Sequence, residues 1–139
     1  MMEHKILRTK MRVDPHDQWF IYAWVLIGGR KLYVEFKVDT GCNSLVLSHK
    51  TLKKFGVNIA ELARLPSITG IQASGDIHDY KKLGTISLFH NKTLHICDTE
   101  AVCHATRETH DLLGTKVFMK FCGLAFNLAD ERHMELKYV

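Results

Sequence analysis

The chain has 139 residues, 46% of them hydrophobic and 24% charged, and carries a net charge of +4 that its nine histidines can raise below neutral pH. That balance excludes a disordered chain and favours one domain, residues 1–139, with a modest core. It also argues against membrane and nucleic-acid partners: the longest apolar run, Trp19 to Gly29, falls far short of the ~20 residues a spanning helix needs, and the basic residues form no stripe interleaved with aromatics.

In chain order, residues 1–17 read as a polar leader, part of which can pair as a first strand. Trp19 to Ile27 is rich in aromatic and β-branched residues, and Leu32 to Val38 alternates. Gly28-Gly29 between them predicts a β-hairpin. Ser44 to Leu47 reads as a short strand. Ser48 is a candidate N-cap for a helix through Lys54 that ends near Gly56, and a second helical piece from Ile59 to Leu65 stops before Pro66. The small residues Ala73, Ser74 and Gly75 sit between β-capable arms and predict a mobile hairpin.

Leu83 to Phe89 and Thr93 to Cys97 predict another hairpin, with a further strand over Glu100 to Cys103. A short helix is expected from Thr115 to Phe121, then strands near Leu124 to Leu128 and Met134 to Tyr138. Many short strands and one or two small helices predict an all-β domain, closed or sandwich-like.

The four cysteines show no compact disulfide spacing. With no secretory signal at the start, a reducing, cytoplasmic setting with free thiols is expected. His95, Cys97, Cys103, His104 and His110 raise a zinc reading, but no Cys-x-x-Cys knuckle accompanies them. Buried cysteines and exposed histidines account for them more simply, so no metal or cofactor is expected.

Chemistry concentrates at Val38-Asp39-Thr40-Gly41, where an apolar strand runs into a lone acid. A carboxylate there is costly to bury unless it is hydrogen-bonded or paired. Taken alone, Asp39 could be an ordinary turn aspartate. Two later features follow in order: the glycine-bearing hairpin around Gly75, and Leu112-Leu113-Gly114 with a short helix and a strand behind it. Together these resemble the retropepsin-like aspartic proteases, single-lobed relatives of pepsin, over roughly residues 20 to 130.

The resemblance implies a retropepsin-like acid-protease barrel or sandwich, with Asp39, Thr40 and Gly41 as the catalytic loop. Ala73, Ser74 and Gly75 would be a flap closing over a peptide or protein substrate. Leu112, Leu113 and Gly114 would pack beneath the loop and stiffen it. Aspartic proteolysis needs two carboxyl groups around one water, one ionised and one neutral. This chain has one Asp-Thr-Gly, so the second Asp39 must come from a second copy, and a homodimer is implied. Thr40 would then bond across the dimer.

Cys42 stands where relatives usually carry serine or alanine, and Lys116 where an acid or amide is common. A thiol is a poorer donor to the catalytic carboxylate than a hydroxyl. The extra helix between loop and flap resembles bacterial and cellular relatives more than viral ones. The alternative is a non-catalytic peptide-binding or dimerisation module on the same fold.

Overall fold

The computed structural model describes residues 5–71, 75–129 and 131–138. Ten strands form it: β1 (Lys5–Val13), β2 (Trp19–Ile27), β3 (Arg30–Val38), β4 (Leu45–Val46), β5 (Ser67–Ile71), β6 (Ile77–Phe89), β7 (His95–His104), β8 (Leu112–Leu113), β9 (Gly123–Asn127) and β10 (His133–Tyr138). Two short helices, α1 (His49–Lys54) and α2 (Thr115–Phe118), and one 3-10 turn, Ile59–Arg64, complete it. The strands join in the order β5-β6-β7-β4-β8-β3-β2-β1-β10-β9, and β6 also pairs with β2. That extra pairing, Trp24↔Phe89 through Leu26↔Ser87, closes the middle six strands into a barrel. The β5–β6 hairpin arm projects from one side, and β1, β10 and β9 extend the other.

The expected all-β fold is what forms, and its core follows strand alternation. Val25, Phe36, Leu45, Leu47, Leu52 and Cys103 are fully buried, with Val34 and Phe36 two apart on β3. The β2–β3 turn uses Gly28 and Gly29 at φ +56° and +81°, the left-handed pair that matches strand twist.

Three departures from the sequence expectation exceed a shift of one or two residues. The polar leader is largely strand: Leu7, Thr9 and Met11 point inward, while Arg8, Lys10 and Arg12 alternate outward. The strand expected over Glu100 to Cys103 is continuous with its predecessor as β7, because β6 runs from the first hairpin into the second and pairs with β7 from Tyr80 to Phe89, through a bulge between Lys82 and Gly84. The helix after Gly114 ends at Phe118 rather than Phe121.

Helix α1 is capped as expected, with Ser48 Oγ accepting from Thr51 N–H at 3.1 Å. Asp111 reinforces it, accepting from Ser48 N–H and from the Thr51 hydroxyl, both at 2.7 Å. Glu108 accepts from the His49 and Lys50 amides. These carboxylates line a hollow of about 340 Å³, but their oxygens are committed to the helix N-terminus, where negative charge is stabilising. Among the described residues no helix is long and apolar enough to cross a membrane.

Candidate active site

Asp39 sits one residue beyond the end of β3, where the backbone is held on both sides. Its amide donates to Leu113 O at 3.1 Å, and Cys42 N–H donates to Asp39 O at 3.2 Å. Beneath the loop, β8 pairs in parallel with β3 (Lys37↔Leu112, Val38↔Leu113) and antiparallel with β4 (Val46↔Leu112). Leu112-Leu113-Gly114 is therefore wedged between the strand that enters the loop and the strand that leaves it.

Gly114 makes this possible. A Cβ there would lie 2.4 Å from Ser44 O and 2.5 Å from Cys42 O, both backbone atoms that cannot swing away. The next two amides close the seam: Thr115 N–H donates to Cys42 O and Lys116 N–H to Asn43 O, each at 2.9 Å. The buried donors and acceptors of two loops are thus satisfied by each other.

The carboxyl of Asp39 is half-buried and turned along its own loop, with Oδ1 accepting from Gly41 N–H at 3.0 Å. A side chain at Gly41 would press to 3.3 Å from that oxygen. Thr40 is exposed at the tip. Cys42 does not turn to the carboxylate; its Sγ donates to Ser44 O at 3.4 Å. Burial, opposed by that bond and aided by the nearby Asp39 charge, raises the Cys42 thiol above its ordinary range. It stays protonated near neutral pH and is a poor nucleophile.

Asp39 opens into a cleft of about 270 Å³. The loop supplies the floor through Gly41, Cys42, Asn43 and Ser44, and the β5–β6 hairpin supplies a wall through Ile68, Thr69, Gly70 and Tyr80. Lys116 closes one side. The wall is close-packed: a Cβ on Gly70 would meet the Tyr80 ring at 2.7 Å.

The sequence reading singled out the hairpin tip. Ala73 and Ser74 lie outside the described residues, and Gly75 is exposed at φ +87°. Among the described residues, those of the hairpin that line the cleft come from its arms, which the sequence reading did not name. The signal was present in the pairing of Ile68 with Tyr80, which two β-capable arms around a short loop imply.

The histidines and cysteines of the zinc reading separate. Cys103 is buried in the core. His104 bonds His78, His95 pairs with Asp98, and His110 lies edge-on to Phe20. Among the described residues no three His, Cys, Asp or Glu side chains converge on a metal position.

A loop acid over a parallel-strand wedge, facing a hairpin arm, can be set beside known structures. The chain is similar to the crystal structure of a retropepsin-like aspartic protease from Rickettsia conorii, with a TM-score of 0.61 over 99% of this chain and 96% of that one. It has the retropepsin-like fold. Sequence identity between the two is 15%, so the likeness is one of fold. No protein-family model matches the chain, and no curated protein does either.

Proposed function

We propose that the protein is an aspartic-type endopeptidase acting as a homodimer, with Asp39 of each copy forming one site. The observation that carries this reading is the clamped Asp39 loop. Its backbone is locked by Leu113 and Gly114, and its carboxyl opens into a cleft of about 270 Å³ walled by a hairpin arm. The retropepsin-like fold supports the same reading.

In this mechanism the ionised Asp39 takes a proton from the bridging water as the water oxygen attacks the scissile carbonyl carbon. The neutral Asp39 gives its proton to the carbonyl oxygen. On collapse of the tetrahedral species the newly protonated Asp39 gives its proton to the departing amine, the newly ionised one takes a proton from a gem-diol hydroxyl, and the C–N bond breaks. Each carboxyl serves once as acid and once as base, so the rate should be bell-shaped in pH. Thr40 and Gly41 position the loop, and the β5–β6 hairpin, with Ala73, Ser74 and Gly75 at its tip, holds the peptide backbone by strand pairing.

Asp39→Asn tests it. The variant should lose peptide cleavage while keeping its circular dichroism and melting temperature. Cleavage retained in Asp39→Asn refutes the assignment. Peptide binding by the native chain with no cleavage would instead favour the non-catalytic module.

A further inference from the structure

The cleft lining contains two charged residues, Asp39 and Lys116. Lys116 is fixed at its base, because its amide donates to Asn43 O and the preceding amide to Cys42 O. Its side chain is exposed and belongs to the cleft.

Two lysines elsewhere show what an engaged head looks like. Lys81 Nζ donates to Ser67 Oγ at 2.7 Å, and Lys31 Nζ lies 3.5 Å from the centre of the Phe89 ring. Among the described residues the ion pairs are Arg8–Glu135, Arg12–Glu35, His95–Asp98 and His133–Glu135, none of which involves Lys116. A cation at the side of the cleft that makes no ion pair with Asp39 or any other described residue offers a nearby anion an attractive potential and a cation a repulsive one. Val46, Ile68 and Val102 line the same cleft, so the methylenes of a glutamate can pack on apolar surface while its carboxylate reaches the ammonium.

We infer that Lys116 is a specificity-determining residue that selects peptides carrying an acidic side chain, glutamate best, at a subsite beside the scissile bond. This rests on the reading of the Asp39 cleft as a peptide site. In a two-fold assembly each copy contributes one Lys116, so the preference falls at two positions equally spaced on either side of the cut.

The test uses the full chain and one set of fluorogenic peptides that differ only in Glu, Gln or Lys at each position around the cut. The wild type should favour Glu over Gln by about threefold to tenfold in kcat/KM, an advantage that shrinks as salt is added. Lys116→Gln should abolish that preference and Lys116→Glu should turn it toward Lys. Lys116→Arg should retain it, which separates lost charge from lost fold. Equal rates for Glu and Gln in the wild type, or a preference that survives in Lys116→Gln, overturns the inference.

If no peptide is cut, fluorescence anisotropy of the same peptides decides. Tighter binding of the Glu peptide that depends on Lys116 sustains the inference while the protease reading falls. Equal binding of the three peptides overturns it.

Discussion

The floor and the wall of the cleft are built by different means. The floor is backbone against backbone: Gly114 leaves no room for a Cβ beside Ser44 O and Cys42 O, and amides on each side of the seam donate to carbonyls on the other. The wall is a two-stranded arm paired by its own backbone, Ser67↔Lys81 through Ile71↔Ile77, and braced on the core by side chains, with Tyr80 lying over Gly70 and its ring edge-on to His104 at 5.3 Å. Ile68 and Ile77 on that arm stay 42% and 70% exposed, so burial contributes little to holding it. On the proposed function a catalytic acid needs a fixed platform, whereas a surface that closes on substrate must yield, and the two constructions suit those tasks.

Two glycine substitutions sharpen the contrast. Gly114→Ala puts a methyl group into backbone oxygens and should cost about 3 kcal/mol of stability. Urea unfolding would show the loss, and catalysis should fall with it because the Asp39 loop must shift. Gly70→Ala meets only the Tyr80 ring, which can rotate. It should cost about 1 kcal/mol and change KM more than kcat. A Gly70 variant as unstable as the Gly114 variant would break the distinction between floor and wall.

Beside the wall, His104 carries a pH dependence of its own. His104 Nδ1 accepts from the Thr106 and Arg107 amides at 3.1 and 2.8 Å, so its other ring nitrogen carries the hydrogen donated to His78 Nδ1, at 3.0 Å. Burial pushes this imidazole below the usual histidine range. The charges of His78, Arg107 and His49 add to that, against Asp79. Because the folded value lies below the unfolded one, the contribution to stability is full above pH 6.5 and is lost as pH falls through the folded value.

His104→Asn keeps a side-chain acceptor for the two amides but cannot titrate. Denaturation followed from neutral pH down to about pH 5 should show the wild type losing stability that the variant does not lose. Parallel curves would show that His104 does not couple pH to this arm.

The smallest expected effect lies outside the cleft. Glu35 is held below its ordinary range chiefly by its hydrogen bond to Arg12, against desolvation and with help from Tyr22. Its contribution is present above the ordinary carboxylate value and fades as pH falls through the folded one. Arg12 is largely in water and the pair is screened, so Arg12→Ala should leave the neutral-pH melting temperature nearly unchanged. A large drop would mean that this ion pair is a structural element of the sheet.

Much of the fold could be read from local chemistry. Gly28-Gly29 specified a turn and Ser48 a cap, while the place of Leu112-Leu113-Gly114 beneath the Asp39 loop came from the family resemblance. What escaped were features set by distant partners. Residues 5–13 alternate basic and apolar side chains, and only their pairing with β10 and β2 distinguishes a strand from a solvated leader. The unbroken β6 depends on β7 and β2 both being there to receive it. The same holds at the cleft. Asp39 and Gly41 announce themselves in sequence, while Ile68, Gly70 and Tyr80 enter the cleft through the register of a hairpin.

The central claim, that two copies of Asp39 make one catalytic centre, is tested most directly by cleavage rate against protein concentration, with sedimentation reporting assembly on the same samples. The rate per chain should fall in proportion to the dimer fraction and vanish in the monomer. A rate per chain that stays constant through complete dissociation would contradict the account.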